Sequence, residues 1–182
     1  MPSLAALLPA AALLIMSLQA AGHAGRRAPG FSLPDRNHKQ YDLYDYRGKV
    51  VLLDIIQTSC PACQKFTRIS EKLKQKYGER VAILNIVTLP DNLKTVGEFI
   101  ATFNVTTPIL FDCGQAAVSY VQATPAKPSI HMPQLFLIDQ KGIIQQHYEH
   151  SEQTKEVFEG DGSLLMQEID KLLAEPRPAR TD

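Results

Sequence analysis

Two short runs of nearly unbroken hydrophobicity organise the chain. They are Val50–Ile56, interrupted only by Asp54, and Val81–Val87, interrupted only by Asn85. Runs this apolar and this short predict strands buried on both faces. Between them Phe66, Ile69, Leu73 and Tyr77 recur at helical spacing, and Gly78 closes the pattern. Pro61 suits a first helical turn, with Ser59 or Thr58 as the expected cap. Asn92 to Phe103 predicts a second helix, Pro108–Phe111 a short strand and Gly114–Tyr120 a short helix. A proline-rich loop, Thr124–Pro128, leads into a third buried strand, Gln134–Ile138. Asp139-Gln140-Lys141-Gly142 turns that strand back into Ile143–His147, a hairpin. Ser163–Leu173 carries Leu164, Leu165, Ile169, Leu172 and Leu173 and reads as a closing helix.

Residues 28–49 alternate turn formers with short apolar pieces, and Arg47-Gly48-Lys49 reads as a turn. The order is β, α, β, α, then an antiparallel pair, then α, which one mixed sheet flanked by helices accommodates. The expected fold class is therefore α/β, with a single domain over residues 28–174. The tail 175–182 is polar and proline-rich and is expected to fray.

The N-terminus has a different pattern. Residues 1–25 hold no Asp, Glu, Lys or Arg, and Leu4–Ala21 is almost wholly apolar. Ala20, Ala21, Gly22 and Ala24 follow, so residues 1–24 read as a secretory signal, with cleavage expected after Gly22 or Ala24. No basic residue precedes the apolar run, whereas Arg26 and Arg27 follow it, so retention as an N-terminal anchor is the alternative. The expected location is the periplasm or cell envelope, with membrane contact only through residues 1–24 if they stay uncleaved.

Charge narrows the function classes. Nineteen Lys and Arg balance nineteen Asp and Glu, which argues against nucleic-acid binding by bulk charge. With 45% hydrophobic and 21% charged residues, the chain is an ordinary globular one. Three cysteines are too few for a disulfide-stapled miniprotein.

Two of those cysteines carry the chemistry. Cys60-Pro61-Ala62-Cys63 opens a helix directly after a buried strand. Unpaired N–H groups and the helix dipole stabilise an anion in a first turn, and the thiolate is the nucleophilic form. Cys60 at the outer end can attack a partner disulfide, and Cys63, one turn further in, can resolve the mixed disulfide. The same spacing is half of a zinc site, but no second pair of ligands follows. A purely structural disulfide would close too small a loop to stabilise much.

Asp54 is the one charged residue in its strand, six positions before Cys60. Burial should raise its pKa, and from that strand it could take the Cys63 proton. A strand-edge Asp paired with a lysine is the alternative. Pro133 opens a central strand, where a cis bond is the obvious candidate. If it abuts Cys60, Met132 could offer main-chain hydrogen bonds to a substrate peptide.

Several pieces together resemble the TlpA/ResA-like branch of the thioredoxin superfamily. They are Ala28-Pro29-Gly30-Phe31, Gly48-Lys49-Val50-Val51-Leu52, Cys60-Pro61-Ala62-Cys63, Thr107–Asp112, and Met132-Pro133 followed by Phe136–Gly142. The resemblance spans roughly residues 28–149. It implies a thioredoxin fold with a β–α insert between the active-site helix and a cis-proline at Pro133. It implies exported thiol–disulfide exchange by a redox-active Cys60–Cys63 disulfide, with Asp54 at the superfamily's buried aspartate. Pro61, Ala62 and Met132 would border the substrate. Protein thiols or disulfides and an upstream dithiol protein are the implied partners, and no cofactor is needed. The chain departs from the branch at Ser59, where tryptophan is usual, and at Phe66, where many ResA-like chains carry glutamate. The loop Ala123–His131 is also longer.

Two other groups merit a role. Cys113 could be a third redox thiol, a dimer link or simply packed. His131, two residues before Pro133, could join Cys60 and Cys63 as a copper-binding triad, a resemblance to Sco-type copper chaperones. Those chaperones space their cysteines by three residues rather than two. A peroxiredoxin fits less well, because Thr58 lies two residues before Cys60 rather than three. His147 and His150 read as surface residues at a strand end.

Overall fold

The computed structural model describes residues 23–176. Their order is β1 (Ser32–Pro34), β2 (Gln40–Asp42), β3 (Val50–Ile56), α1 (Pro61–Tyr77), β4 (Val81–Val87) and α2 (Leu93–Phe103). Then come β5 (Ile109–Phe111), α3 (Gln115–Val121), β6 (Gln134–Ile138), β7 (Ile144–Glu149), α4 (Lys155–Glu159) and α5 (Ser163–Ala174). Residues 1–22, with the body of the expected signal or anchor, and tail residues 177–182 lie outside the described residues. None of the described helices is long and apolar enough to cross a membrane.

The main sheet has the order β5-β4-β3-β6-β7. β3, β4 and β5 are parallel, while β6 runs antiparallel to β3 and to β7. Between α1 and β6 the chain completes two β–α units. The extra one, β5 with α3, supplies the edge strand and a helix on the far face. This is a thioredoxin fold with the expected β–α insert.

Side-chain alternation assigns the faces. Val51, Leu53 and Ile55 of β3 join α3 and the β1–β2 hairpin in one core. Val50 and Leu52 join α1, α4 and α5 in the other. Ile56 continues that second face and packs with Cys63 and α2. Because strand side chains alternate, Asp54 must point to the face that carries α1. The fold thus aims the one carboxyl of β3 beneath the cysteine-bearing helix.

Some expectations change. The 28–49 stretch forms the two-stranded β1–β2 sheet, whose Phe31, Leu33 and Tyr41 cover the α3 face. The hairpin strand β7 runs to Glu149 rather than to His147, after a bulge at Leu137/Ile138. His147 therefore lies inside the strand and is buried, not on the surface. It stacks on Phe136 at 4.2 Å and meets Gln134 Oε1 at 2.6 Å. Burial lowers its pKa to about 4. The short helix α4 gives no periodic signal but seats Val157 and Phe158 in the α1-side core. The folded unit also begins before Ala28. Gly25 N–H donates to Ile144 O at 2.8 Å, and Ile144 N–H donates to Arg26 O at 2.9 Å.

Candidate active site

Helix α1 begins at Pro61, and its cap is Cys60 itself rather than Ser59 or Thr58. Cys60 has extended backbone angles, φ −78° and ψ 119°. Its Sγ takes the place of a capping oxygen and accepts the Cys63 backbone N–H at 3.3 Å. Sulfur at a helix start thus meets the unpaired donors that favour an anion there. Hydrogen bonding from Cys63 lowers the Cys60 pKa to about 6, with backbone N–H of Cys63 and Ala62 adding to the effect against burial.

Cys63 sits one turn inward and is buried, whereas Cys60 is partly exposed. The hydrogen bond with Cys60, burial and the charge of Asp54 all push the Cys63 thiol well up. The two sulfurs are therefore unlike: one is ready as a thiolate and the other is held protonated.

Asp54 is 1% exposed and its Oδ1 has no hydrogen-bond partner. Burial, and secondarily the Cys60 charge, raise its pKa well above the usual carboxylate value. No lysine pairs with it among the described residues, so the strand-edge ion pair is set aside.

The Met132–Pro133 peptide is cis. Met132 O lies 3.7 Å from Cys60 Sγ, which puts the start of β6 against the sulfur. Met132 is partly buried between the α3-side core and the Cys63 cluster. Pro61 is exposed beside Cys60, but Ala62 is buried. Pro61 can meet a partner; Ala62 contributes its backbone N–H.

The Redoxin family model matches residues 23–162. The chain belongs to the Redoxin family. This redoxin is 31% identical over 123 residues to the thioredoxin-like protein YneN of Bacillus subtilis, covering 66% of this chain and 68% of that one. It is 30% identical over 137 residues to the thiol-disulfide oxidoreductase ResA of Bacillus anthracis, covering 75% of each. A solution structure of a candidate protein disulfide isomerase from Bacteroides thetaiotaomicron superposes with a TM-score of 0.69 at 28% identity, covering 88% of this chain and 96% of that one. The redoxin is a TlpA/ResA-like member of the thioredoxin superfamily and an oxidoreductase.

One residue of this redoxin that shapes the turn before Cys60 escaped the sequence reading. Asp91, in the loop after β4, is buried. Its carboxylate accepts the Thr58 N–H at 2.9 Å, the Thr58 hydroxyl, and the Thr95 hydroxyl at 2.9 Å. From the other side, the Gln64 amide donates to Thr58 O at 2.9 Å. Cys60 N–H then donates to Gln57 O at 3.0 Å. The turn that delivers Cys60 is thus pinned from both sides. Replacing Thr58 with Val should cost about 1–3 kcal/mol by removing one part-buried hydrogen bond to a carboxyl acceptor, read as a lower urea midpoint at unchanged m-value. A local signal existed in Asp91-Asn92-x-x-Thr95, a helix-start pattern. Its second use on Thr58 has no periodic trace.

The redoxin's His131 does not join the cysteines. It is exposed and shares a cleft with His23, Gln134, His147 and Glu149 on the α3 side. Among the described residues no group of three or more His, Cys, Asp or Glu is arranged to hold a metal ion, so the Cys60–Cys63–His131 copper triad is not assembled. Cys113 is an exposed thiol just before α3.

Proposed function

We propose that this protein is an exported thiol–disulfide oxidoreductase that exchanges a Cys60–Cys63 dithiol with disulfides of partner proteins. The observation that carries the reading is the asymmetric sulfur pair. Cys60 Sγ is partly exposed and accepts the Cys63 N–H at 3.3 Å, which favours its thiolate, while Cys63 is buried, which favours its thiol. The apolar, uncharged residues 1–24 support export.

The exchange balances in two steps. Cys60 thiolate attacks one sulfur of the partner disulfide; the partner S–S bond breaks and its second sulfur leaves as a thiolate. Cys63 then loses its proton and attacks Cys60 Sγ, and the first partner sulfur leaves. The partner has gained two electrons and the protein has become the Cys60–Cys63 disulfide. Asp54 takes the Cys63 proton in the second step, directly or through water. Its raised proton affinity suits it to hold that proton. Run backwards, the same steps oxidise a partner dithiol. Pro133 and the Met132 carbonyl shape the side of the groove against Cys60, and Pro61 borders it.

The test is a thiol count on the reduced protein after exposure to a disulfide-bonded protein such as insulin. Two of three thiols should disappear, leaving Cys113 open to alkylation, while two insulin thiols appear per disulfide reduced. No loss at Cys60 and Cys63 would overturn the reading. The alkylation rate of Cys60 by iodoacetamide should also rise with pH around a midpoint near 6 and level off above about 8, with Cys63 silent.

A further inference from the structure

One ionisable side chain beside the redox pair has no part in the chemistry above. β7 ends at Glu149, and His150 continues its pairing, donating its N–H to Pro133 O at 3.4 Å. Pairing Gln134 with Glu149 makes Pro133 and His150 the next row across the sheet. The side chain of His150 turns to the α1 face, where its ring meets Phe158 edge-on at 5.5 Å. Phe158 in turn meets Phe66 of α1 at 5.7 Å. His150 is therefore one strand away from the proline whose neighbour, Met132, touches Cys60 Sγ.

The ring is held there by Glu159. His150 Nε2 lies 3.2 Å from Glu159 Oε1. Glu159 Oε2 also takes Lys65 Nζ of α1 at 2.6 Å. The chain His150–Glu159–Lys65 ties β7, α4 and the first turns of α1 together. The Glu159 carboxyl is held below its usual range, first by Lys65 and then by His150, with Lys155 adding to it. The surrounding groups that bear charge are thus Glu159 and Lys155 from α4, and Lys65 and Cys60 from α1. Asp54 from β3 lies deeper under Cys63, and Glu149 turns to the opposite face of β7.

Resting on the function proposed above, we propose that His150 is a positioning residue for the redox pair. Held by Glu159 one strand away from Pro133, its ring presents positive charge to the Cys60 sulfur and favours the nucleophilic thiolate. A cation near a half-buried thiolate stabilises it by a Coulomb term that water screens only in part. Positive charge at His150 acts on Cys60 in the same sense as the helix-start hydrogen bonds, as the smallest of the contributions. The partner so favoured is a disulfide met below neutral pH, where an ordinary thiol is almost wholly protonated.

The test is the pH profile of Cys60 alkylation in the full chain and in His150→Gln and His150→Lys. His150→Gln should slow alkylation at pH 6 on the order of 2-fold, through an upward shift of the profile of about half a unit. At pH 9, where Cys60 is ionised in both, the rates should agree, which also verifies that the variant is folded. His150→Lys should restore the pH 6 rate. An unshifted His150→Gln profile, an equal slowing at every pH, or no rescue by lysine each overturns this inference. A wild-type profile centred near an ordinary thiol value of about 8.5 would instead sink the function proposed above.

Discussion

Serine at position 63 is expected to arrest the exchange halfway and leave client proteins bound to Cys60 through a mixed disulfide. The backbone N–H that stabilises the Cys60 thiolate belongs to residue 63 whatever its side chain. The first attack should therefore survive Cys63→Ser, while the second sulfur needed for release is gone. Serine at position 60 removes the exposed nucleophile instead, and nothing accumulates. In either variant multiple-turnover reduction of insulin should fall on the order of 10³-fold or more, because the two sulfurs act as a unit. The discriminating readout is a non-reducing gel of cell-envelope extracts. Higher-mass adducts that collapse with dithiothreitol should appear for Cys63→Ser and be absent for Cys60→Ser. Equal adducts from both would place the reactive thiol elsewhere, with exposed Cys113 as the first suspect.

Asp54→Asn is expected to separate stability from resolution. The folded-state carboxyl has a proton affinity raised well above its unfolded value of 3.8 by burial. Below that unfolded value both states carry the proton and Asp54 costs nothing. As pH rises from about 4 through the folded-state value, the unfolded chain loses the proton first, so stability falls. Above the folded-state value the penalty is complete. The wild type should therefore lose stability across this window, and Asp54→Asn should not. At pH 8 the variant should be more stable by about 1–3 kcal/mol, the scale of a buried polar group without its partner. Urea midpoints at pH 5 and pH 8 check it, and parallel slopes for the two proteins would contradict the buried-acid picture. Resolution should move the other way. Without a carboxylate to receive the Cys63 proton, release of the mixed disulfide should slow by about 10²-fold, while the first attack by Cys60 is spared.

These two substitutions act on residues that the chain itself advertises. Val50–Ile56 is so uniformly apolar that a lone aspartate in it stands out, and a Cys-x-x-Cys directly after it can hardly sit anywhere but a helix start. Burial of whole strands is written in runs of side chains. The three buried strands, the helix α1 and the sheet's mixed order were accordingly legible, and so was the cis bond before Pro133. Helix α4 was not, because five residues complete little more than one turn and show no period.

What the amino-acid order determined by itself was the local chemistry: which strands are buried, which stretch forms α1 and where it ends, and which side chains can carry electrons. Those properties depend on neighbours within a few positions, where hydrophobic spacing and helix-end preferences operate. Only the tertiary structure decided that Cys60 rather than Ser59 or Thr58 caps the helix, that Asp91 holds Thr58 from 33 positions away, and that His150 reaches the α1 face. Only the tertiary structure turned His131 to a cleft on the far side of the sheet. Strand register and loop closure bring such groups together, and contacts between distant positions leave no period in a sequence for the reader to find.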